Sequence, residues 1–386
     1  MLAPTPFFAD RGCHVRIYEE ARALISFGHE VCIATYHLGR DMEGIPTVRI
    51  PSVPWYKKLV AGPSWHKPYL DILLFFTALA EALRRRPDVI HAHLHEGAFI
   101  GLFLKKLLRV PLVFDCQGSL TTEMLDHGFI RNGSLWHRFF LWLEKIINNG
   151  ADFIVTSSHA GAADLTESWM VPSLKVRGLI DGVDTVMFRR FPRDEARGAL
   201  SLALDEPIAV FLGVLNRYQG IDLLLEVVKI LKARESKLHF LVMGFPEERY
   251  LNKAAAEGVS DLITFTGRVD YEKTPFYLCA GDIAISPKIS LTEANGKLFN
   301  YMACGLPTVV FDNPVNREIL GDSGVYAHQG DPVDFAVQIE ELLNNRAKRD
   351  ELAARTREKA VRDHSWISRG NQLVEIYREI KKSACQ

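Results

Sequence analysis

Lys288 and Lys297 bracket a carboxylate, Glu293, and an Asn295-Gly296 pair that favours a turn. Two ammonium groups close to the start of a helix suit phosphate oxygens, because unpaired N–H groups there add positive potential. A carboxylate and an amide, Glu293 and Asn295, suit hydroxyls, and so does Asn300 one turn further on, since an amide both donates and accepts. Diphosphate at one end and hydroxyls at the other describe a nucleotide-sugar.

The surrounding residues read as the elements that would aim these groups. Ile283 to Ser286 is a short apolar run suited to a strand buried on both faces, and Lys288 to Gly296 is a polar loop. From Lys297 to Cys304, Leu298, Phe299, Met302 and Ala303 recur at helical spacing. Gly305 stops the helix, Pro307 prevents its resumption, and Thr308 to Phe311 is the next buried strand. A helix that merely packs on a sheet would explain Leu298 and Met302 but not the polar loop before it.

The stretch Lys297–Asp312, KLFNYMACGLPTVVFD, resembles the donor-binding helix of family 4 glycosyltransferases, retaining enzymes of the GT-B fold. Met302 to Pro307 carries the family's Met-Ala-Cys-Gly-Leu-Pro run, while Thr292 and Asn300 stand where relatives have glutamates, with Glu293 one residue on. The resemblance implies an α/β chain of two Rossmann-like parallel-sheet domains facing across a cleft. It also implies sugar transfer from a nucleoside diphosphate sugar to an acceptor hydroxyl, with retention and without a metal or other cofactor; no Asp-x-Asp is present to hold a metal. Asn300 then falls on the donor ribose. Gly178 to Asp184 is similar to the family's junction signature, with Asp181 for Asn. The expected domains are 1–180, on the acceptor side and rejoined by a terminal helix 366–386, and 186–364, on the donor side.

The first half opens as strand tail, loop with Asp10-Arg11-Gly12, helix Val15 to Phe27 and strand Val31 to Tyr36, as in nucleotide-binding α/β domains. Gly12 reads either as a close backbone approach to the donor phosphate or acceptor, or as a tight turn. Gly39 to Pro68 is irregular. Trp55, Tyr56, Trp65 and their neighbouring lysines suit either peripheral membrane contact through 55–67 or an ordinary surface loop. A helix follows over Asp71 to Arg86, then a strand Asp88 to His93. If that strand continued, His91, His93 and His95 would share a face, the weak basis of a zinc reading. His95 and Glu96 are expected on the acceptor side. Gln117, after the buried strand Pro111 to Asp115, stands where relatives carry a His near the donor sugar. It can bond a hydroxyl but not take a proton. With Glu293 and Lys297 it completes the expected catalytic set.

The second half supplies GVLNRYQGI, Gly213 to Ile221, after the strand Ile208 to Leu212. Relatives place phosphate-binding Arg and Lys in this loop where Val214 and Gln219 stand; Arg217 offers a bidentate guanidinium instead. Gly244-Phe245-Pro246 is expected to wall the base, and Glu272 to Ala280 to be a helix. The donor set is therefore Gly12, Arg217, Gln219, Gly244, Lys288, Asn295, Gly296, Lys297 and Asn300.

Composition bounds the remaining possibilities. The 386 residues are 48% apolar and 24% charged with net charge −1, a globular profile without the field that would favour nucleic acid. Six scattered cysteines without a Cys-x-x-Cys fit a reducing, cytoplasmic setting. The longest apolar run, Leu70 to Leu83, is interrupted by charges and too short to span a bilayer. Met1 to Pro4 reads as a strand tail, so a natural start a few residues upstream is expected. Two alternatives to transfer stay open: a nucleotide-sugar binder without turnover, and a GT-B UDP-sugar epimerase.

Overall fold

The computed structural model describes the chain except residues 60, 61, 63, 127, 290–294, 385 and 386. Thr292 and Glu293 therefore lie outside the described residues. Short apolar runs form two all-parallel sheets. The first contains β1 (Leu2–Ala3), β2 (Ile33–Thr35), β3 (Thr47–Arg49), β4 (Ile90–His93), β5 (Leu112–Cys116), β6 (Phe153–Thr156) and β7 (Val176–Gly178), in the order β3-β2-β1-β4-β5-β6-β7. The second contains β8 (Ile208–Leu212), β9 (His239–Met243), β10 (Ile263–Gly267), β11 (Ile283–Ser286), β12 (Thr308–Phe311) and β13 (Gly324–Ala327), in the order β10-β9-β8-β11-β12-β13. In each sheet the order reverses once, between β1 and β4 and between β8 and β11. Crevices open at the carboxyl ends of strands at such points.

Helices cover both sheets, as buried parallel strands require. Those of the first half are α1 (Gly12–Ser26), α2 (Lys67–Arg85), α3 (Leu94–Leu108), α4 (Leu120–Asp126), α5 (Leu135–Gly150) and α6 (His159–Glu167). The second half has α7 (Arg193–Ala199), α8 (Ile221–Ala233), α9 (Glu248–Ala256), α10 (Thr274–Leu278), α11 (Lys297–Ala303), α12 (Pro314–Leu320), α13 (Pro332–Asn344) and α14 (Arg346–Asp363). The last helix, α15 (Trp366–Ala384), returns to the first half. There Gly370 lies against Ala23 and Phe27, and the Tyr377 hydroxyl lies 2.6 Å from His91 Nδ1.

Three elements differ from expectation. The helix expected from Asp71 starts at Lys67, because Pro68 occupies its first turn, where a missing N–H costs nothing. The helix expected over Glu272 to Ala280 is confined to Thr274–Leu278, again with Pro in its first turn. The histidine alternation breaks after β4. Leu94 takes φ 62°, and the chain turns at once into α3, so His95 belongs to a helix and not to the face of His91 and His93.

Candidate active site

Lys288, Asn295, Lys297 and Asn300 stand at the reversal point of the second sheet. Tyr301 of α11 fixes the geometry: its buried hydroxyl accepts from the Leu212 amide at 2.8 Å and donates to the Ile285 carbonyl at 3.3 Å. The ends of β8 and β11 are thereby tied to one helix. Lys297, at the start of that helix, reaches the loop after β8. Its Nζ donates to Gln219 Oε1 at 2.7 Å and lies 4.3 Å from the Phe211 ring centre. Lys288 covers the same loop, with Nζ 5.1 Å from the Tyr218 ring centre.

Close backbone approach holds the loop in place. Gly220 has φ 79°, and a Cβ there would stand 1.8 Å from the Pro287 carbonyl oxygen. A Cβ on Gly244 would stand 1.9 Å from the Gly213 carbonyl oxygen. Any side chain at either position would separate the loop from its neighbours. Arg217 lies on the same loop but is exposed. Asn300 is half-buried one turn into α11.

Burial sets the charge state of Lys288. It pushes the ammonium down to about 7, against the pull of Asp181. Asp181 lies between the two halves: one oxygen accepts from Arg16 Nη1 at 2.5 Å, and the other would be 3.4 Å from a Cβ on Gly296. The junction residue expected only as a hinge thus touches both a first-domain helix and the start of the donor helix.

Facing this, the first half presents a closed charge cluster that sequence reasoning missed. Arg16 of α1 contacts Asp115 at 2.9 Å, Glu20 at 3.1 Å, Asp181, and the Leu179 carbonyl at 2.9 Å. Burial opposes its charge, but the three carboxyls outweigh burial and hold Arg16 protonated well beyond its ordinary range. Burial would likewise raise Asp115, yet Arg16 and His93 keep it well below the usual carboxylate range. For Glu20 burial wins, and its carboxyl is raised despite Arg16. Its available signals were the i, i+4 pair Arg16 and Glu20 on an otherwise apolar helix face and a charge closing an apolar strand at Asp115.

The cluster also answers the zinc reading. Glu20, His91, His93 and Asp115 bring four ligand atoms within 4.8 Å of one another. Arg16 already bonds both carboxyls there, and a second cation beside a buried guanidinium would meet strong repulsion.

Several expected site residues have other duties. Asn295 is buried, and its amide donates to Ser286 Oγ and Asn316 Oδ1, both at 3.0 Å. With both N–H bonds committed internally it fixes the loop, which corrects its assignment to sugar hydroxyls. His95 is buried against Phe114 and 3.5 Å from Glu144, so it lines no acceptor surface. Glu96 is bound by Lys67; burial alone would raise its carboxyl, but Lys67 brings it below the ordinary value. Gln117 is half-buried and donates to Asp115 Oδ2 at 2.8 Å. Gly12 begins α1 with open space where a Cβ would stand, so no contact within the protein requires glycine there. The true crossing residue of that loop is Asp10, which accepts from Arg268 Nε at 2.9 Å and from Arg40 at 2.8 Å. Beside it Glu19 accepts from the Tyr271 hydroxyl at 3.1 Å, and burial raises that carboxyl to about 7. In the 55–67 segment Trp55 and Trp65 are exposed, but Tyr56 is buried and Lys67 is turned inward onto Glu96.

A cavity of about 500 Å³, lined by Arg190, Cys279, Gly305 and Pro307 among others, lies at the amino ends of β11 and β12, away from these loops.

Residues 11–179 match the family described as Glycosyl transferase 4-like domain, and residues 192–359 match Glycosyl transferases group 1. The chain is 26% identical over 391 residues to a D-inositol 3-phosphate glycosyltransferase of Thermobispora bispora, covering 95% of this chain and 90% of that one. Sucrose-phosphate synthase from Thermosynechococcus elongatus superposes with a TM-score of 0.84 at 19% identity, over 99% of this chain and 98% of that one. HepE of Anabaena, solved with UDP-glucose, superposes with a TM-score of 0.79 at 14% identity, over 98% of each chain. The two superpositions establish the architecture; at such identity they carry nothing finer.

Proposed function

The chain belongs to the family 4 type of glycosyltransferases with the GT-B fold, and from that premise we propose that it transfers a sugar from a nucleoside diphosphate sugar to an acceptor hydroxyl with retention. The carrying observation is that Lys288 and Lys297 both fold over the loop 213–220 at the reversal point of the second sheet. The fold shared with the Anabaena neighbour, which was solved with UDP-glucose, is consistent with a nucleotide-sugar as donor.

In this reading Lys297 and Lys288 face the diphosphate, with Arg217 at the rim. As the bond from the anomeric carbon to the phosphate oxygen breaks, its electron pair passes to that oxygen, and the two ammonium groups stabilise the charge. The acceptor oxygen bonds to the same face of that carbon, and its proton goes to the departing phosphate. Gln117, held by Asp115, approaches the sugar from the first half; Asn300 serves the ribose, and Glu293 the sugar hydroxyls. No metal takes part. Gly244 and its neighbours flank the base. The acceptor enters between the halves beside Glu96, in assembly of a cell-surface polysaccharide or glycolipid. Trp55 and Trp65 support peripheral contact with the cytoplasmic face of a membrane. No helix among the described residues is long and apolar enough to cross one.

The test is calorimetric titration with UDP, GDP and ADP sugars, followed by intact-mass detection of product from a panel of acceptors. One nucleotide should bind, transfer should follow, and the product should keep the donor's anomeric configuration. Absence of binding by every donor would defeat the proposal.

A further inference from the structure

On an ordinary solvated helix the exposed positions are polar, as on α14, where Arg346, Asp350, Arg355, Glu358 and Arg362 face outward. Helices α2, α3 and α5 reverse this. The exposed stripe of α2 includes Ile72 and Phe76, that of α3 Phe99 and Phe103, and that of α5 Trp136, Phe139 and Trp142. Both tryptophans are 58% exposed, so these rings do not belong to the core. Four or three residues separate successive members of each stripe, so each forms one helix face.

The three helices are neighbours on one side of the first sheet. Phe75 of α2 lies 6.5 Å from the Phe103 ring of α3, and Leu102 of α3 closes on Gly150 of α5, leaving no room for a Cβ. Several large apolar side chains therefore share one side of the first half. Clustered exposed rings of this kind mark an interaction surface.

Charge identifies what covers it. The exposed charged residues of these helices are Arg84 and Arg85 on α2, Lys106 on α3, and Arg138 and Lys145 on α5, all cationic. Of the acidic residues on the same helices, Asp71, Glu96 and Glu144 turn inward onto Tyr36, Lys67 and Thr121, while Glu81 pairs at the surface with Arg84 and Arg85 and offsets part of their charge. A chain with net charge −1 thus presents one face that is aromatic and cationic. Two copies of that face would set like charges against each other, whereas anionic headgroups over acyl chains complement both features.

We propose that the outer face of α2, α3 and α5 docks on an anionic lipid bilayer, with the aromatic rings at the headgroup boundary and the cations against lipid phosphates. This surface lies largely outside residues 55–67 and does not depend on the transfer reaction.

The test is flotation of the whole chain with phosphatidylcholine vesicles containing about one third phosphatidylglycerol, beside vesicles of phosphatidylcholine alone. The protein should float with the anionic vesicles, and added salt should weaken the association. The paired substitution Phe139→Glu and Trp142→Glu should lower the bound fraction at least about tenfold with the melting temperature unchanged. If that pair does not fold, Phe76→Glu on α2 should lower it in the same direction. Absence of wild-type binding to anionic vesicles, or unchanged binding by folded variants, would overturn the proposal. Sedimentation showing a dimer that the same substitutions dissociate would overturn it too, assigning the face to a second copy.

Discussion

Arg16 and Lys288 are both buried cations, 2% and 3% exposed, and both face Asp181, yet their surroundings treat the charge in opposite ways. Around Arg16, carboxyls outweigh burial and the guanidinium stays charged; around Lys288, burial outweighs Asp181 and the ammonium falls to about 7. The first half therefore keeps a compensated cation that holds helix, strand and junction together. The second keeps a buried cation that desolvation holds close to neutrality.

Removing Arg16 should have the largest effect. Arg16→Ala leaves Asp115 buried without its main counter-charge and should cost about 3–5 kcal/mol in denaturant unfolding. A loss below about 1 kcal/mol would mean the cluster is not compensated as described. Next comes Lys297→Ala, which should reduce kcat/KM by about 2–4 kcal/mol while leaving the ligand-free melting temperature nearly unchanged. An equal loss of stability would make Lys297 a structural residue like Arg16.

Glu19 tests a third case, a carboxyl buried at the contact between the halves. Its folded value of about 7 lies above the unfolded 4.5, so the folded state binds the proton more tightly. The cost is absent below pH 4.5, grows as pH rises, and is complete above about 7. Glu19→Gln should consequently stabilise the chain at pH 8 by up to about 3 kcal/mol, and should do little at pH 4. Thermal melts at the two pH values read this directly, and the same gain at both would contradict it.

A further pH dependence follows from Lys288. Its folded value lies below the unfolded 10.5, so the unfolded chain holds the extra proton between about 7 and 10.5, and stability should rise with pH across that window. Diphosphate binding favours the charged form. Affinity should fall by up to about tenfold per pH unit above 7, with proton uptake visible as a buffer-dependent heat. Lys288→Met should flatten that dependence; a retained slope would point to another group.

The strands flanking the donor loop were legible because their side chains repeat locally: β11 and β12 fall on the runs read from the sequence, and α11 ends one residue early. Helix α3 was not, since His-Ala-His-Leu-His continues an alternation that a single left-handed residue, Leu94, interrupts. Asn295 misled for a similar reason. An amide in a polar loop looks available until the fold supplies Ser286 and Asn316 as partners.

By itself the sequence determined much of the strand and helix succession and the residue types gathered near position 297, because periodicity and turn chemistry act over a few residues; the two-sheet architecture was implied by the family resemblance. Only the tertiary structure decided which charges are already satisfied. Arg16 meets Asp115 and Asp181 across separations of 99 and 165 residues, and Lys297 meets Gln219 across 78. Pairing over such distances depends on where the chain returns, and burial then fixes which groups remain charged.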